Sequence, residues 1–559
     1  MFWYLKKNSA LFIFLFSGCL FGELVDGDTL VLHPITWNTS SPEGWNAQYK
    51  KIIQFPGSDG PWAKIIMVQT LKCDSTTKGD NYPCGEWDYI WNIFVNVPKE
   101  DTVETFSMGS FVTPYGKRLW LGGEAGWEWT YDITDYAPIL KEEREIIVGN
   151  NQELLDLKFL FIKGAPTWNI LRVENIYPYG HHKYGDLADD IVLQETKLQL
   201  LPEAHGYKLK AVVSGHGHAG PRNCCEWDSK THTYYMNGLK LFRWNVWKDC
   251  GNNPIYPQGG TWPFDRAGWC PGTKVDEYEN ELTPFVKPGD TISIDYEIEP
   301  YLDNGEKEGE FRISHQLFSY GSPNFMNDAE IIDIIVPSSK GAFSRFNPTL
   351  SNPKVIIKNA GAYDLERVEI HYGLKHRRKS VYHWYGHLKF LEEEKVFLPI
   401  PNWHGLRRTQ TFEVEIKKTN GVKDENPLNN ILTSTVPLPK IFPEEFILEI
   451  KTNNRDRARE NSFTISGNNG TVYYSSGFFK DSTEYNFPVE LKRGFYEFLF
   501  RDDMEDGISV HWWNRNSAPE KIGISGELKF LKWDGEVLHE FKPDFGQELR
   551  FGFIVGPIP

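Results

Sequence analysis

One five-residue pattern that combines cysteine, acidic residues and tryptophan occurs twice in this chain. The first copy is Cys84-Gly-Glu-Trp-Asp88 and the second is Cys224-Cys-Glu-Trp-Asp228. A carboxyl group can move a proton, and an indole offers a flat apolar face on which a pyranose ring can stack. The pattern therefore predicts a site that cleaves or binds sugars, and its repetition indicates two similar modules that meet at one site. The alternative is two disulfide-pinned hairpins with hydrogen-bonded surface acids.

Asp88 and Glu226 are the candidate proton-handling residues of the two copies. Asp88 begins a predicted strand directly after a cysteine loop, where a disulfide would fix its carboxylate in the rigid position that catalysis rewards. The neighbouring Trp87 can serve as a sugar platform, or it can shield the acid from water and raise its pKa. Arg266 adds a planar guanidinium suited to bidentate contact with an amide or sugar oxygen. Its simpler interpretation is a salt bridge to a local acid such as Asp265.

Two histidines offer a different chemistry. His216 and His218 alternate along a predicted strand, so both side chains face the same side. With His232 they could form a copper or zinc site. A hydrogen-bonded pair in a pocket is the simpler interpretation, because no methionine or further histidine motif lies close in sequence. The pair His181-His182 falls in a predicted linker and is expected to be solvated.

The composition excludes one class of partner and favours one class of fold. The chain of 559 residues carries a net charge of -16, which argues against nucleic acid because phosphate binding needs a basic surface. Aromatic residues make up 15% of the chain, which favours β-structure and suits stacking on carbohydrate. The length is far beyond one hydrophobic core, so several domains are expected.

The first residues have the pattern of an export signal. Lys6-Lys7 precede the apolar stretch 10–16, which is too short to span a bilayer and is followed by Ser17-Gly18. Cys19 resembles a bacterial lipoprotein acylation site, although Phe16 replaces the usual aliphatic residue. Lipidation at Cys19 and simple cleavage both remain open. We therefore expect a bacterial protein that is secreted, periplasmic or held on the outer surface by a possible lipid anchor.

Six further cysteines predict disulfides, because an even number in an exported chain implies pairing. Cys73 with Cys84, and Cys250 with Cys270, are plausible local pairs. Cys224 and Cys225 are adjacent, and either a vicinal bridge or two free thiols is open for them. A zinc site is not expected, since the chain lacks a second cysteine-rich knuckle.

Strand signals dominate the chain and predict an all-β protein of antiparallel sandwiches. The runs 64–71 and 89–97 flank the Cys73 to Cys84 loop and predict a hairpin. Turn-rich and proline-rich segments predict boundaries after 177–180, near 336–339 and at 436–439. Near the C-terminus, the acidic loop 501–507 could hold calcium through oxygen ligands, with a plain turn as the favoured interpretation.

At this point the chain resembles the peptide-N-glycosidase F family, bacterial amidases that remove N-glycans from glycoproteins. The resemblance spans residues about 30–336. It rests on six motifs in the family's order, which include Phe111-Val-Thr-Pro-Tyr115, Asp132-Ile-Thr-Asp135, Ser214-Gly-His-Gly-His-Ala219 and Asp265-Arg-Ala-Gly-Trp-Cys-Pro-Gly272, together with the two acidic pattern copies, the second with Thr231-His-Thr233. Single motifs are weak, but their shared order and spacing are specific.

The resemblance implies two adjacent antiparallel jelly-roll sandwiches with the active site at their junction. It places the catalytic aspartate at Asp88, the catalytic glutamate at Glu226 and the site arginine at Arg266, with Trp87 and Trp269 as substrate-binding tryptophans. The implied reaction hydrolyses the amide between an Asn side chain and N-acetylglucosamine in N-glycosylated proteins or glycopeptides. It needs no metal or other cofactor, and a monomer is expected.

With this resemblance, five segments are predicted along the chain. They are a signal peptide (1–22), an N-terminal jelly roll (23–190), a second jelly roll (191–338), an immunoglobulin-like β-sandwich (345–438) and a C-terminal β-sandwich (443–559).

The chain departs from the family around the sugar-recognition groups. Ile162 stands where the family has a third acidic residue, Gly164 and His216 replace tryptophans, Tyr89 replaces an arginine, and Asp228 replaces a cysteine. His216 and His218 are therefore candidate substrate-binding residues of a changed pocket. These departures point to altered glycan specificity or to lost activity. A catalytically inactive glycan-binding or adhesive surface protein, and a metal-dependent enzyme that uses His216 and His218, are the alternative functions.

Overall fold

The computed structural model describes residues 24–42, 47–57, 60–76, 82–149, 152–219, 222, 224–302, 308–403, 406, 408–510 and 522–556. The predicted signal peptide and the lipidation candidate Cys19 lie outside the described residues. The fold is all-β, as predicted, and consists of paired sheets that are antiparallel except for the pairing of Lys440–Phe442 with 553–555. The described part also contains one short α-helix, α1 (Tyr184–Ala188), and several 3-10 turns. No helix among these residues has the length and apolar character needed to cross a membrane.

The first eight strands form a jelly roll. One sheet has the order β1-β8-β3-β6 and the other has the order β5-β4-β7-β2. Their bounds are β1 (Thr29–Ile35), β2 (Gln48–Phe55), β3 (Trp62–Cys73), β4 (Ile90–Lys99), β5 (Thr102–Val112), β6 (Trp127–Asp132), β7 (Glu142–Gly149) and β8 (Glu153–Lys163). Every connection except β4 to β5 changes sheet, which is the two-Greek-key pattern of a jelly roll. The sheets meet through aromatic contacts such as Phe55 with Phe159, whose ring centroids are 5.5 Å apart.

The second jelly roll repeats this topology. Its sheets have the orders β15-β11-β17-β9 and β10-β16-β12-β13, and a two-residue strand β14 (Thr273–Lys274) pairs with β5 of the first jelly roll. The bounds are β9 (Trp168–Lys183), β10 (Thr196–Gln199), β11 (Gly206–His216), β12 (Lys230–Met236), β13 (Leu239–Val246), β15 (Glu277–Glu281), β16 (Thr291–Ile298) and β17 (Glu310–Pro323). Strand β16 alternates buried and less buried residues, as expected for a strand with one face in the core.

The two copies of the acidic pattern occupy the same place in the two jelly rolls. The first lies between the third and fourth strands, β3 and β4, and the second lies between β11 and β12, the third and fourth strands of the second jelly roll. In both, this connection crosses from one sheet to the other. The predicted hairpin of 64–71 with 89–97 is therefore wrong, because the disulfide loop links strands of different sheets instead of hydrogen-bonded neighbours.

Sheet membership also moves two predicted boundaries. Strand β9 begins at Trp168 and pairs along its length with β17, so the second jelly roll starts before residue 190. Strand β18 (Ala329–Val336) pairs with β19 (Lys354–Asn359), so it belongs to the third sandwich and not to the second jelly roll. The residues at 177–180, which suggested a linker, lie inside β9. His181 and His182 are accordingly strand residues and not part of a linker; His181 is exposed, as predicted, whereas His182 is half-buried.

The C-terminal half contains two further sandwiches. The first, in the region predicted to be immunoglobulin-like, has sheets β18-β19-β22 and β21-β20-β23-β24, with β25 also pairing with β23. Its remaining bounds are β20 (Leu365–Leu374), β21 (Ser380–Leu388), β22 (Glu393–Phe397), β23 (Gln410–Thr419), β24 (Val422–Lys423) and β25 (Ile431–Val436).

The last sandwich has sheets β26-β34-β31-β28-β29 and β30-β27-β32-β33, around a core rich in phenylalanine. Its bounds are β26 (Lys440–Phe442), β27 (Glu445–Lys451), β28 (Asn461–Gly467), β29 (Val472–Gly477), β30 (Glu484–Glu490), β31 (Gly494–Asp502), β32 (Glu527–Leu531), β33 (Val537–Glu540) and β34 (Glu548–Val555).

By its contacts the chain divides into two compact units. One contains both jelly rolls and includes Asp265–Asn324. The other contains the two C-terminal sandwiches together with Gly251–Phe264. In sequence this segment lies within the second jelly roll, but by its contacts it belongs to the second unit. In this second unit, Trp262 donates its indole N–H to Asp544 across 3.0 Å and lies fully buried.

Candidate active site

The first acidic loop, Cys84–Tyr89, is held on several sides before β4 begins. The Cys73–Cys84 disulfide closes its start, as the sequence predicted. Gly85 has φ of 77°, and a Cβ there would collide with the side chain of Gln152. The side-chain amide of Gln152 in turn donates to the carbonyl of Trp87 over 3.1 Å. The backbone that carries Asp88 is therefore fixed by covalent and hydrogen-bonded contacts.

The second acidic loop, Cys224–Ser229, is held by a vicinal disulfide between Cys224 and Cys225. Both cysteines are buried in the core of the second jelly roll. The backbone N–H of Glu226 donates to the carbonyl of Gly217 at 2.9 Å, and the carbonyl of Glu226 accepts from the N–H of Ala267 at 2.9 Å. Of the two interpretations for the adjacent cysteines, the structure shows the bridge.

Arg266 is the residue around which this site is built. Its side chain is fully buried, and its Nε donates to Oε1 of Glu226 over 3.0 Å. The guanidinium carbon lies 4.3 Å from the ring centroid of Trp227 and 5.0 Å from that of Trp269. Two indoles and a carboxylate therefore fix the plane of the guanidinium. The carboxylate of Asp265, the local alternative partner, instead accepts from Trp247 Nε1 and from the backbone N–H of Cys250.

Asp88 belongs to the same electrostatic group. Burial raises the pKa of Asp88 from 3.8 to about 7; Arg266 lowers this pKa, the charge of Glu226 raises it, and a hydrogen bond with Tyr115 lowers it. Asp88 thus exchanges a proton near neutral pH, which suits a general base or acid. Burial also raises the pKa of Glu226, opposed by Arg266, its ion-pair partner, and by His218.

Tyr115 is a site residue to which the sequence pattern gave no role. It ends the segment Phe111-Val-Thr-Pro-Tyr115, it is 7% exposed, and its side chain hydrogen-bonds to Asp88. The signal in the sequence that could have identified it is a tyrosine a few residues after a buried strand. Glu153, a buried acid at the start of β8, lies opposite Cys73 and next to Gln152.

The structure separates the predicted substrate-binding residues into exposed and buried ones. Trp87 is 46% exposed and can present a face to a sugar. Trp269 is 2% exposed, donates its indole N–H to the carbonyl of Gly215 and stacks on His216 with centroids 5.2 Å apart. Trp269 therefore packs against Arg266 and His216 and offers little open face to a sugar, and its role in substrate binding stays a prediction. His218 is exposed beyond the end of β11.

The three histidines do not come together as ligands. His216 bonds through Nε2 to Ser214 Oγ at 2.8 Å, whereas His232 is fully buried and bonds to the hydroxyl of Tyr296. Burial, and then the charge of Arg312, holds the pKa of His216 well below its usual value, so its ring is neutral. Among the described residues, no cluster of three His, Cys, Asp or Glu donor atoms includes His216 or His218.

The positions that depart from the family have other partners. Asp228 pairs with Lys230 at 2.7 Å and with Arg222 at 3.0 Å, so it stabilises the loop. Ile162 lies in β8 opposite Thr29 of β1 and Lys64 of β3. Glu174, an acid of β9, pairs with Arg172 at 2.7 Å. The two jelly rolls meet beside the site through a small apolar cluster of Val112, Val212, Trp269 and Val275.

Comparison with known proteins agrees with the sequence resemblance. Residues 183–318 match the family described as peptide-N-glycosidase F, C terminal. The chain is 31% identical over 267 residues to the peptide-N(4)-(N-acetyl-beta-D-glucosaminyl)asparagine amidase F of Elizabethkingia miricola, which covers 44% of this chain and 71% of that protein.

Two solved structures are also similar to this chain. PNGase F from Flavobacterium meningosepticum, described as a glycosylasparaginase, is 26% identical with a TM-score of 0.45, and the match covers 53% of this chain and 96% of that one. PNGF-II is 16% identical with a TM-score of 0.40, and the match covers 52% of this chain and 65% of that one.

Proposed function

Because this chain belongs to the peptide-N-glycosidase F family, we propose that it is an amidase that acts on N-glycosylated proteins or glycopeptides. It hydrolyses the bond between an Asn side chain and the first N-acetylglucosamine, which releases the glycan as a glycosylamine and leaves Asp in the peptide. The observation that carries this proposal is the coupling of Asp88, Glu226 and Arg266, which come from two jelly rolls and act on one another.

Asp88 is the general base in this proposal. Its pKa of about 7 leaves a substantial ionised fraction at neutral pH, while its protonated form is also accessible. A water oxygen attacks the side-chain carbonyl carbon of the glycosylated Asn, and Asp88 accepts one proton of that water. When the carbon–nitrogen bond breaks, Asp88 returns the proton to the departing nitrogen. The atoms balance as one water consumed for one amide cleaved.

Arg266 and Glu226 act on the charge that develops on the amide, the fully buried Arg266 through the field of its fixed charge. The attack turns the carbonyl oxygen into an oxyanion, and a fixed guanidinium stabilises such a charge more than a mobile one does. Because Nε of Arg266 donates to the carboxylate of Glu226, this contact orients the terminal N–H groups of the guanidinium. The buried Trp269 and the neighbouring Trp227 keep water from screening this charge.

The changed surroundings support a glycan specificity unlike that of the family. His216 is neutral and stacked, and Trp87 is half-exposed beside Asp88. We assign His216, His218 and Trp87 to the recognition of the first sugars. The retained Asp88, Glu226 and Arg266 keep the chemistry, while these positions select the glycan.

Export from the cytoplasm is part of the same proposal. Three disulfides in the described residues support it, because such bonds persist in oxidising compartments. A periplasmic or outer-surface location also gives access to glycoproteins. A lipid anchor at Cys19 would hold the enzyme at that surface, and mass spectrometry of the protein purified from its membrane fraction tests it.

The decisive experiment is incubation of the purified protein with a denatured N-glycosylated peptide, read by mass spectrometry. We expect loss of the glycan with conversion of Asn to Asp, and its absence in Asp88→Asn. Asp101→Asn is the matched control, because Asp101 follows β4 at the end opposite to Asp88 and is exposed. No conversion by the wild-type protein across high-mannose and complex glycans would overturn the amidase and favour a glycan-binding surface protein.

A further inference from the structure

The last sandwich contains a cluster of acids far from the catalytic residues in sequence. Glu460, Asp502 and Asp506 each place one carboxylate oxygen so that the three oxygens lie within 4.8 Å of one another. Asp502 ends β31 and pairs with Asn461, the first residue of β28, which directly follows Glu460. The sheet register and the following loop therefore bring the three acids together.

The carboxylate of Asp502 has one oxygen in use and one without a partner. Its Oδ1 accepts the backbone N–H groups of Met504 at 3.1 Å and Asp506 at 3.2 Å, which shapes the loop. Its Oδ2 is buried and has no hydrogen-bond partner among the described residues, and the residue as a whole is 1% exposed. A buried, unpartnered carboxylate oxygen is unfavourable unless a cation or donor reaches it.

The described cations around the cluster do not balance its charge. Arg457 contacts Asp506 and donates to the carbonyls of Gly507 at 2.8 Å and Ser509 at 3.0 Å. Arg459 forms an ion pair with Asp456 at 2.8 Å, although it also acts on Glu460. Among the described residues, three carboxylates therefore share Arg457 and, through Glu460, Arg459, which leaves an excess of negative charge when all three acids are ionised.

We propose that Glu460, Asp502 and Asp506 form a calcium site in the C-terminal sandwich. Calcium takes oxygen ligands at roughly 2.3–2.6 Å, so oxygens that share one ion lie no more than about 5 Å apart, and the three oxygens of this cluster lie within 4.8 Å of one another. A divalent cation offsets the excess charge and reaches Oδ2 of Asp502. Glu460 and Asp506 are half-buried, which leaves an entry path and room for water ligands.

The proposed site lies between the loop after β31 and the start of β28, so a bound ion would link these two segments. The backbone N–H of Asp503 donates to the carbonyl of Glu460 at 3.1 Å, which ties the loop to the turn before β28. An ion held by all three acids would cross-link the end of β31 to the start of β28. Calcium therefore stabilises this sandwich by binding its folded state.

Calcium titration of the EDTA-treated full-length protein, by calorimetry and by thermal unfolding, tests this proposal. We expect heat of binding and a higher Tm with calcium in the wild type, and a roughly tenfold or larger loss of affinity in Asp502→Asn, because affinity follows the charge count of the ligands. Glu460→Gln should weaken binding in the same way and changes a less buried residue. Glu490→Gln, on the exposed face of β30, is the matched control and should bind as the wild type does.

Several results would overturn the proposal. They are no heat and no Tm change with millimolar calcium in the wild type, or undiminished binding in both Asp502→Asn and Glu460→Gln. Magnesium binding as tightly as calcium would overturn the choice of ion. None of these measurements depends on amidase activity.

Discussion

Nε of Arg266 lies 3.0 Å from Oε1 of Glu226, in a site where the arginine side chain is fully buried. The same guanidinium lowers the pKa of Asp88, whereas the charge of Glu226 raises it. The two acids and the arginine therefore form one coupled unit, and a change at any of the three alters the other two.

Breaking the pair between Arg266 and Glu226 should destabilise the protein. Arg266→Gln and Glu226→Gln each leave a buried charge without its partner, so each is expected to lower the free energy of unfolding by roughly 3 kcal/mol. The double variant should lose clearly less than the sum, because neither charge remains. Urea unfolding followed by tryptophan fluorescence measures this; additive losses would show that the two residues do not interact.

The acidic limb of the pH profile of kcat/KM should reflect the ionisation of Asp88. Because the base works when ionised and its pKa is about 7, kcat/KM should fall as the pH drops below 7. Glu226→Gln removes a charge that raises this pKa, so the limb should move to lower pH while activity also declines. His216 is neutral over this range and should leave no limb of its own. A limb at the same pH in wild type and Glu226→Gln would contradict the coupling.

Stability should respond to Asp88 in the opposite direction from activity. Its folded pKa is raised from 3.8 to about 7, so the folded state binds the proton more tightly than the unfolded chain does. The resulting stabilisation is fully present below pH 3.8 and is lost as the pH rises through 7. Asp88→Asn should therefore raise Tm at pH 8 and change it little at pH 4, as measured by calorimetry. An equal shift at both values would point to a packing effect.

Tyr115→Phe tests the residue that supports Asp88. The tyrosine hydrogen bond lowers the pKa of Asp88, so its loss should raise that pKa and move the acidic limb to higher pH. We expect kcat to fall by about tenfold, with little change in KM, since a positioning contact to the base is lost. A structural role alone would lower Tm without moving the limb, and pH profiles together with thermal melts distinguish the two.

The Cys73–Cys84 bridge should matter more for activity than for folding. The bond joins two cysteines 11 positions apart in front of Asp88, and closing a loop of this size contributes about 2–3 kcal/mol. The double variant Cys73→Ser with Cys84→Ser should fold at 25 °C but lose most of its kcat, because the carboxylate is no longer held. Circular dichroism checks the fold, and unchanged kcat would show that Gln152 and the strand contacts suffice.

Several features of the protein follow from residue types and their spacing alone. Strand signals predict the all-β class, and the spacing and adjacency of the cysteines are compatible with the three pairs that form. The repeated acidic pattern indicates two similar modules, and the structure shows the same topology twice, with the pattern between equivalent strands. Tyr115 has no role that the pattern assigns, because a hydrogen bond to a distant loop leaves no mark on local spacing.

The amino-acid sequence by itself determined which chemical groups are available and which strands form, because both depend on residue type and on neighbours along the chain. Only the tertiary structure decided how those groups are used. The two copies of the acidic pattern contribute residues from different positions to the site, Asp88 from the first copy and Glu226 from the second. Asp228, the counterpart of Asp88, instead forms an ion pair with Lys230. Arg266 takes Glu226 and not Asp265, and β9 joins the second jelly roll, because packing and strand pairing across long separations set these outcomes.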